Sequence, residues 1–148
     1  MRVRVRKHDD SAVVPYKTHD GDFCYDVVAT SCEEVAPNVY KYGIGLSFEI
    51  VRDGEFGEGY RLDIDFRPRS SVWKTGMVLS NCEGTIDETY RGEVFAVFYH
   101  VIPGLPRYNV GDRIGQIKLG VTLAIEFEEA SELSDTDRGA GGYGSTGR

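Results

Sequence analysis

The stretch GTIDETYRGEV, residues 84–94, places a carboxylate, an aromatic ring and a guanidinium group within five positions. A carboxylate can orient a water molecule and accept its proton, which is the task of a general base in hydrolysis. The apolar runs GMVLSN and FAVFY flank the stretch, and two short β-prone runs around a polar centre that begins with glycine predict a β-hairpin. Because a hairpin turn requires none of Asp87, Tyr90 and Arg91, their combination indicates a functional role.

A second group of polar side chains follows a predicted strand at RPRSSV, residues 67–72. Arg69, the hydroxyl groups of Ser70 and Ser71, and the backbone amides of a starting turn would together bind an anion. A surface turn capped by a serine explains the same residues, and this alternative is favoured when the segment is considered alone. Asp26 in YDVVA and Gln116 in VGDRIGQ also have ordinary interpretations, as a turn-capping carboxylate and as a buried amide satisfied by the backbone.

The chain ends in RGAGGYGSTGR, which contains five glycines among its eleven residues. Its GxGxxG match is weak, because a dinucleotide-binding loop needs a strand before it and a helix after it, and Ser145 stands where a Walker loop has lysine. A flexible, solubilising tail is the usual interpretation of such a terminus. The alternative is that exposed amides, the guanidinium of Arg138 and the hydroxyls of Ser145 and Thr146 wrap a polyphosphate.

Composition limits the classes of function. At 148 residues, with 41% hydrophobic and 28% charged residues, the chain fits one soluble globular domain, with no membrane span and no secretory signal. Three cysteines at unrelated spacings predict reduced thiols and a cytoplasmic location. A net charge of −7 argues against a nucleic-acid polymer as partner, but a small phosphate compound needs only a few converging arginines.

Strand patterns dominate the elements that must position these residues. Ile44, Leu46, Phe48 and Ile50 alternate on one predicted face, and Tyr60, Leu62, Ile64 and Phe66 alternate on another. Further strands are predicted at VRV, YDVVA, VFAVFY, DRIGQIKL and VTLAIEF, with one helical turn after PRSS. The insert 51–59 and the loop 101–109 are interpreted as exposed connections. The pattern predicts an all-β antiparallel sandwich or barrel over residues 1–130, followed by an acidic linker and glycine-rich arm over 131–148.

Taken in order, YDVVA, PRSS, GTIDETYRGE, GDRIGQ and RGAGGYGSTG resemble the five motifs of the trimeric deoxyuridine triphosphatase (dUTPase) family, from about residue 13 to the last residue. Five positions, in four of the five motifs, depart from the usual pattern. Phe23 and Cys24 replace a small residue and glycine, Ser71 replaces a glycine, Gly115 replaces an alanine, and Tyr143 replaces a phenylalanine. None of these departures removes a chemical group that the reaction needs.

The resemblance implies a jelly-roll-like antiparallel β-barrel and hydrolysis of dUTP to dUMP and pyrophosphate by attack of water on the α-phosphate. This reaction limits uracil incorporation into DNA and supplies dUMP for thymidylate synthesis. Asp87 corresponds to the catalytic aspartate, Tyr90 to the ring that packs on deoxyribose and excludes a 2′-hydroxyl, and Asn81 with the hairpin main chain at Gly84 to the groups that pair with uracil. Asp26 corresponds to a supporting carboxylate.

The resemblance further implies which residues bind the triphosphate, how the metal is held and how the chain assembles. The triphosphate contacts are expected from Arg69, Ser70, Ser71, Gln116, Arg138, Tyr143, Gly144, Ser145 and Thr146. Mg²⁺ is expected on the phosphate oxygens and water, with no direct protein ligand. A homotrimer is expected, with sites at subunit boundaries. Two rival functions remain: a dCTP deaminase-like enzyme and a non-enzymatic barrel that binds a partner.

Overall fold

The structure of the chain is a computed structural model, which describes residues 1–52, 54 and 59–142. Within these residues the chain forms ten β-strands and one short 3₁₀ helix, η1. The elements are β1 (Arg2–Lys7), β2 (Tyr25–Val28), β3 (Ser31–Ala36), β4 (Val39–Gly43), β5 (Leu46–Val51), β6 (Tyr60–Arg67), η1 (Val72–Thr75), β7 (Met77–Leu79), β8 (Gly84–Asp87), β9 (Phe95–His100) and β10 (Arg113–Leu123).

Two four-stranded antiparallel sheets make up most of the fold. The first has the strand order β2-β10-β6-β8 and the second has the order β3-β4-β9-β7, while β1 pairs with β5 in a separate two-stranded sheet. The all-β antiparallel prediction is confirmed. The predicted edge strand near the start is β1, and the predicted helical turn after PRSS is η1.

The core lies where the alternating side chains of both sheets meet. Leu62, Ile64 and Phe66 are buried as predicted, because every second residue of a strand faces the same side. Ile44, Leu46 and Phe48 are buried as well, whereas Ile50 is only partly buried and Tyr60, at the start of its strand, is 40% exposed. The sheet faces turned away from this core are therefore the ones left for polar chemistry.

The segment GMVLSN pairs with FAVFY, as the hairpin prediction requires. Met77 of β7 lies opposite His100 of β9, and Leu79 lies opposite Phe98. The stretch between them was not expected to form a strand of its own. Gly84–Asp87 becomes β8 and crosses to the other sheet, where it pairs with β6. The connection thereby carries Asp87 away from β7 and β9 and onto the outer face of the first sheet.

The sequence patterns missed two strands and divided a third. β3 and β4 lie in SCEEVAPNVYKYG, where β3 is exposed along its whole length and shows no alternation. The predicted strands DRIGQIKL and VTLAIEF are one continuous strand, β10. It ends at Leu123, which lies opposite Tyr60, where the partner strand β6 begins.

The connection 101–109 is mostly exposed, as predicted, but it has one buried anchor. Tyr108 is 6% exposed, and its carbonyl oxygen accepts a hydrogen bond of 2.8 Å from the hydroxyl of Tyr42. In the insert 51–59, residues 53 and 55–58 lie outside the described residues. The predicted division into 1–130 and 131–148 remains a prediction. In the part of the chain that is described, no helix is long and apolar enough to span a membrane.

Candidate active site

Asp87 is the last residue of β8 and lies in a cavity lined by Thr85, Ile86, Asp87, Tyr90, Glu93, Val94 and Phe95. The backbone amide of Tyr90 donates to the carbonyl of Asp87 at 3.0 Å, which closes the turn after the strand. Arg91 stabilises the same turn, because its Nη1 donates hydrogen bonds to the carbonyl oxygens of Glu88 and Tyr90 at 2.6 and 3.0 Å. Among the described residues, none donates a hydrogen bond to the carboxylate of Asp87, which leaves it available to a ligand or water.

The ring of Tyr90 is held in place on one side of this cavity. Its hydroxyl donates to the carbonyl of Glu93 at 2.9 Å. Its ring atoms lie over Gly92, where a Cβ would come within 2.6 Å of Cζ, so only glycine fits beneath the ring. Tyr90 is 46% exposed, which leaves part of the ring free to contact another molecule.

Asn81 and Gly84 lie together at the other end of β8. A Cβ added to Gly84 would lie 3.4 Å from Nδ2 of Asn81, so the amide side chain lies beside the glycine backbone. The intervening turn is tight: the amide of Glu83 donates to the carbonyl of Asn81 at 2.6 Å, and Cys82 has a φ of 59°. The structure thus brings together the two residues predicted to contact the base.

The carboxylate of Asp26 joins two arginines in a second cavity. Its Oδ1 accepts from Nε of Arg69 at 3.1 Å, and its Oδ2 accepts from Nη1 of Arg113 at 2.9 Å. Nη1 of Arg113 also donates to the hydroxyl of Thr18 at 3.0 Å. The side chain of Asp26 is only 12% exposed. Each guanidinium group keeps N–H donors that Asp26 does not use, and these remaining donors suit an anionic ligand.

Of the other three residues predicted near Arg69 to bind phosphate, only two line this cavity. Ser70 and Gln116 line the cavity with Arg69, whereas Ser71 does not. Ser71 precedes η1 without a side-chain capping bond, so the simple capping interpretation has no support in its geometry. Nε2 of Gln116 donates to the carbonyl of Pro68 at 3.3 Å, which leaves the amide oxygen for other partners.

The C-terminal arm contributes to neither cavity in its described part. Arg138 is exposed, and its Nε donates to the carbonyl of Gly141 at 2.9 Å within the arm itself. Neither set of lining residues includes any position beyond 116. The other predicted contacts of the arm, which are Tyr143, Gly144, Ser145 and Thr146, lie outside the described residues.

The two cavities have no lining residue in common, although they open on the same sheet. Asp87 on β8 lies opposite Asp63 on β6, and Asp63 in turn lies opposite Gly120 on β10. Gln116 is also on β10, four residues before Gly120. Strand geometry therefore separates Asp87 from Gln116 by about 13 Å along the strands and about 10 Å across them. One copy of the chain does not place the Asp87 carboxylate beside the arginine pair.

Six residues that line the second cavity were not among the predicted site residues: Thr18, His19, Asp22, Phe23, Cys24 and Arg113. A signal for Arg113 was present, because it lies within GDRIGQ, three residues before Gln116. Its bond to Asp26 depends on the pairing of β10 with β2, which brings together residues 87 positions apart. Thr18 and His19 belong to a loop with no periodic pattern, and their place in the cavity had no signal in the sequence.

The structure also explains why glycine stands at position 115, where the family motif usually has alanine. A Cβ added there would lie 2.2 Å from Cζ of Phe66, because the phenyl ring occupies the space that an alanine methyl group would need. Phe66 is itself buried on β6, next to β10. Glycine at 115 is therefore matched to a large ring at 66, and the change is one of packing rather than of chemistry.

Comparison with known proteins identifies a family. The dUTPase family model matches residues 63–147. The deoxyuridine 5'-triphosphate nucleotidohydrolase of Nautilia profundicola is 34% identical over 151 residues, covering 100% of both chains. The protein of the same name from Clostridium novyi is 32% identical over 149 residues, covering 99% of both chains.

Solved structures share the fold. A mutant dUTPase of Staphylococcus bacteriophage 80alpha, solved with dUpNHpp, has a TM-score of 0.80 at 21% identity and covers 99% of both chains. A mutant dUTPase of phage phi11 of S. aureus has a TM-score of 0.69 at 19% identity and covers 91% of this chain, and it is described with a structural Mg(II) ion. The predicted jelly-roll-like β fold is confirmed by this similarity.

Proposed function

The chain belongs to the dUTPase family and hydrolyses dUTP, and we propose how its own residues carry out that reaction. The observation that carries the proposal is the division of the site into a hairpin cavity around Asp87 and a second cavity in which Arg69 and Arg113 converge. Hydrolysis of a nucleoside triphosphate needs a base beside the attacking water and positive charge beside the phosphates. The two cavities provide these two requirements separately.

Asp87 acts as the general base. Its carboxylate orients a water molecule in line with the bond to the leaving pyrophosphate and accepts a proton as the water oxygen bonds to the α-phosphorus. The bond between the α-phosphorus and the bridging oxygen breaks, and pyrophosphate leaves with the electron pair. A carboxylate at the exposed end of a strand, without a partner among the described side chains, suits this role.

Tyr90, Asn81 and Gly84 select the deoxyuridine. The ring of Tyr90, held between Gly92 and the carbonyl of Glu93, packs on the deoxyribose and leaves no room for a 2′-hydroxyl. The amide of Asn81 and the backbone at Gly84 pair with the edge of uracil. Cytosine is rejected because its donors and acceptors would be buried without partners, which is costly in a site built for hydrogen bonding.

Arg69, Arg113, Ser70 and Gln116 bind the triphosphate, with Ser71 in support. Asp26 holds the two guanidinium groups at a fixed separation, so their free N–H donors are positioned before the ligand arrives. Arg138, Tyr143, Gly144, Ser145 and Thr146 close over the bound nucleotide and exclude water.

Mg²⁺ is carried to the site by the nucleotide. Within the described residues no three Asp, Glu, His or Cys side chains form a group that could enclose a metal ion. The carboxylate of Asp26 is already bonded to two arginines. These residues suit an ion held by phosphate oxygens and water, whose role when bound is to offset phosphate charge.

Assembly completes the site. We propose a homotrimer in which the Asp87 hairpin of one copy meets the arginine cavity of another, because a single copy separates the two.

The three thiols of Cys24, Cys32 and Cys82 are free, which suits an enzyme of the cytoplasm.

Release of pyrophosphate from dUTP tests the function. We expect pyrophosphate and dUMP from dUTP in the presence of Mg²⁺, and much slower release from UTP, dCTP and dTTP. Incubation with dCTP followed by an assay for ammonia tests the deaminase alternative, whose chemistry needs a different acid–base residue. Ammonia without pyrophosphate would overturn the proposal, and a protein that binds dUTP without turnover would favour a binding protein.

A further inference from the structure

Arg52 joins three elements that meet beside the proposed base, and the reaction as described so far does not use it. It follows β5 directly and lies in the insert 51–59. Its Nε and Nη2 donate to Oε2 of Glu88 at 3.2 and 2.6 Å, and its Nη2 also donates to the carbonyl oxygen of Tyr60 at 3.1 Å. One guanidinium group therefore connects the end of β5, the start of β6 and the turn after β8.

Glu88 is held in place by more than this ion pair. Its backbone carbonyl accepts from Nη1 of Arg91 at 2.6 Å, and a hydrogen bond from the backbone of Leu62 stabilises its ionised carboxylate. The pKa of Glu88 is lowered, first by the hydrogen bonds from Arg52. The side chains of Arg52 and Glu88 are 34% and 27% exposed, so solvent screens their attraction less than that of a fully exposed pair.

The ion pair lies one residue beyond Asp87. Asp87 ends β8, a strand of four residues at the edge of its sheet, so its backbone has a paired strand on one side only. The hydrogen bonds of Tyr90 and Arg91 stay within the following turn, whereas the bonds of Glu88 reach β5 and β6. Neither Arg52 nor Glu88 lines the cavity around Asp87, so any effect on the base passes through the backbone of the turn.

We propose that Arg52 is a positioning residue for the general base, acting through Glu88 to fix the turn that carries Asp87 and Tyr90. The inference rests on the proposed role of Asp87. A general base must keep its carboxylate within hydrogen-bonding distance of the attacking water, and misplacement by about 1 Å can cost on the order of 10²-fold in rate. A short edge strand restrains its last residue weakly, and the ion pair supplies the restraint from the neighbouring strands.

Arg52→Ala tests the inference through the separate effects on kcat and on affinity. We expect kcat for dUTP to fall by about tenfold, because the turn gains freedom to move the carboxylate away from the water. The affinity for dUpNHpp should change by less than about threefold, because the phosphate contacts come from the arginine cavity. Arg4→Ala is the matched control: the ion pair of Arg4 with Glu49 at 3.1 Å also involves β5 but does not reach the hairpin, so kcat should not change.

A double-mutant cycle tests the route through Glu88. Glu88→Ala should reproduce the loss of kcat, and the double variant should be no slower than the slower single variant, because both changes break the same contact. Losses that multiply in the double variant would show that Arg52 acts by another route and would overturn the inference. All rates are measured well below the Tm of each variant.

A conservative variant keeps the inference testable if Arg52→Ala does not fold. Arg52→Lys keeps the charge but lacks the planar fork that reaches Glu88 and Tyr60 together, and we expect a smaller loss of kcat, of about two- to threefold. A lowered Tm with unchanged kcat in these variants would assign the ion pair a purely structural role and overturn this inference alone. Near-normal turnover in Asp87→Asn would instead overturn the proposed role of the base.

Discussion

The carboxylate of Asp87 owes its availability to the turn that follows it. The turn bonds of Tyr90 and Arg91 use backbone carbonyls, and the salt bridge of Glu88 with Arg52, at 2.6 Å, occupies the neighbouring acid instead. The hydrogen bonds from Arg52 are also the first cause of a lowered pKa at Glu88. Of the two adjacent acids, only Asp87 remains free for chemistry.

Asp87→Asn is expected to abolish most turnover while nucleotide binding survives. Asparagine keeps the shape of the side chain but cannot accept a proton, and loss of a general base typically costs about 10²–10⁴-fold in rate. Single-turnover kinetics with dUTP and the affinity for dUpNHpp measure the two effects separately. Near-normal turnover would remove Asp87 from the base role, and an equal loss of affinity would make it a binding residue.

Tyr90→Ala is expected to relax the choice between deoxyribose and ribose. The ratio of kcat/KM for dUTP to that for UTP should fall by on the order of tenfold or more, because the wall against the 2′-hydroxyl is gone. Tyr90→Phe is the matched control: it loses only the hydrogen bond to Glu93 and should keep most of the discrimination. An unchanged ratio in Tyr90→Ala would mean that the ring only packs against Gly92.

At the scale of elements, the crossing of β8 from one sheet to the other decides where Asp87 lies. The hairpin of β7 with β9 could be predicted, because its two apolar runs and polar centre are local in sequence. The pairing of β8 with β6 could not, because GTID has no alternation strong enough to identify its partner. For the same reason the exposed strand β3 was missed, whereas the buried alternation of β6 was predicted correctly.

Removal of the arm after Asp137 separates its two interpretations. The described part of the arm bonds to itself and lines neither cavity, so Tm without ligand should not change. If the arm closes over the nucleotide, kcat should fall by on the order of 10²–10³, the usual cost of losing such electrostatic contacts, and affinity should fall less. The full-length Arg138→Ala variant shows how much of this loss belongs to one guanidinium group. Full turnover in the truncated enzyme would make the arm a solubilising tail.

At the scale of the whole molecule, the separation between Asp87 and the arginine pair is the main constraint. Composition predicted one acidic domain. The motifs predicted Asp87 and Tyr90 in the first cavity, and Asp26, Arg69, Ser70 and Gln116 in the second. Neither composition nor motifs could predict which residues lie close together in one copy, because that depends on the strand order. Asp26 and Gln116 are cross-strand neighbours, whereas Asp87 is two strands and several residues away from Gln116. The bond of Arg113 to Asp26 belongs to the same class of long-range pairing.

Mixed oligomers of two inactive variants test the assembly directly. Asp87→Asn and Arg69→Ala are each expected to be inactive alone, with unchanged oligomeric state. If each site takes its base from one copy and its arginine from the next, every mixed cyclic trimer has one intact site, so co-expressed and doubly tag-purified trimers should recover about one third of wild-type activity. Separately purified variants mixed without subunit exchange are the control and should stay inactive. Verified mixed trimers with no recovered activity would place both residues of a site in the same copy and contradict the shared-site proposal.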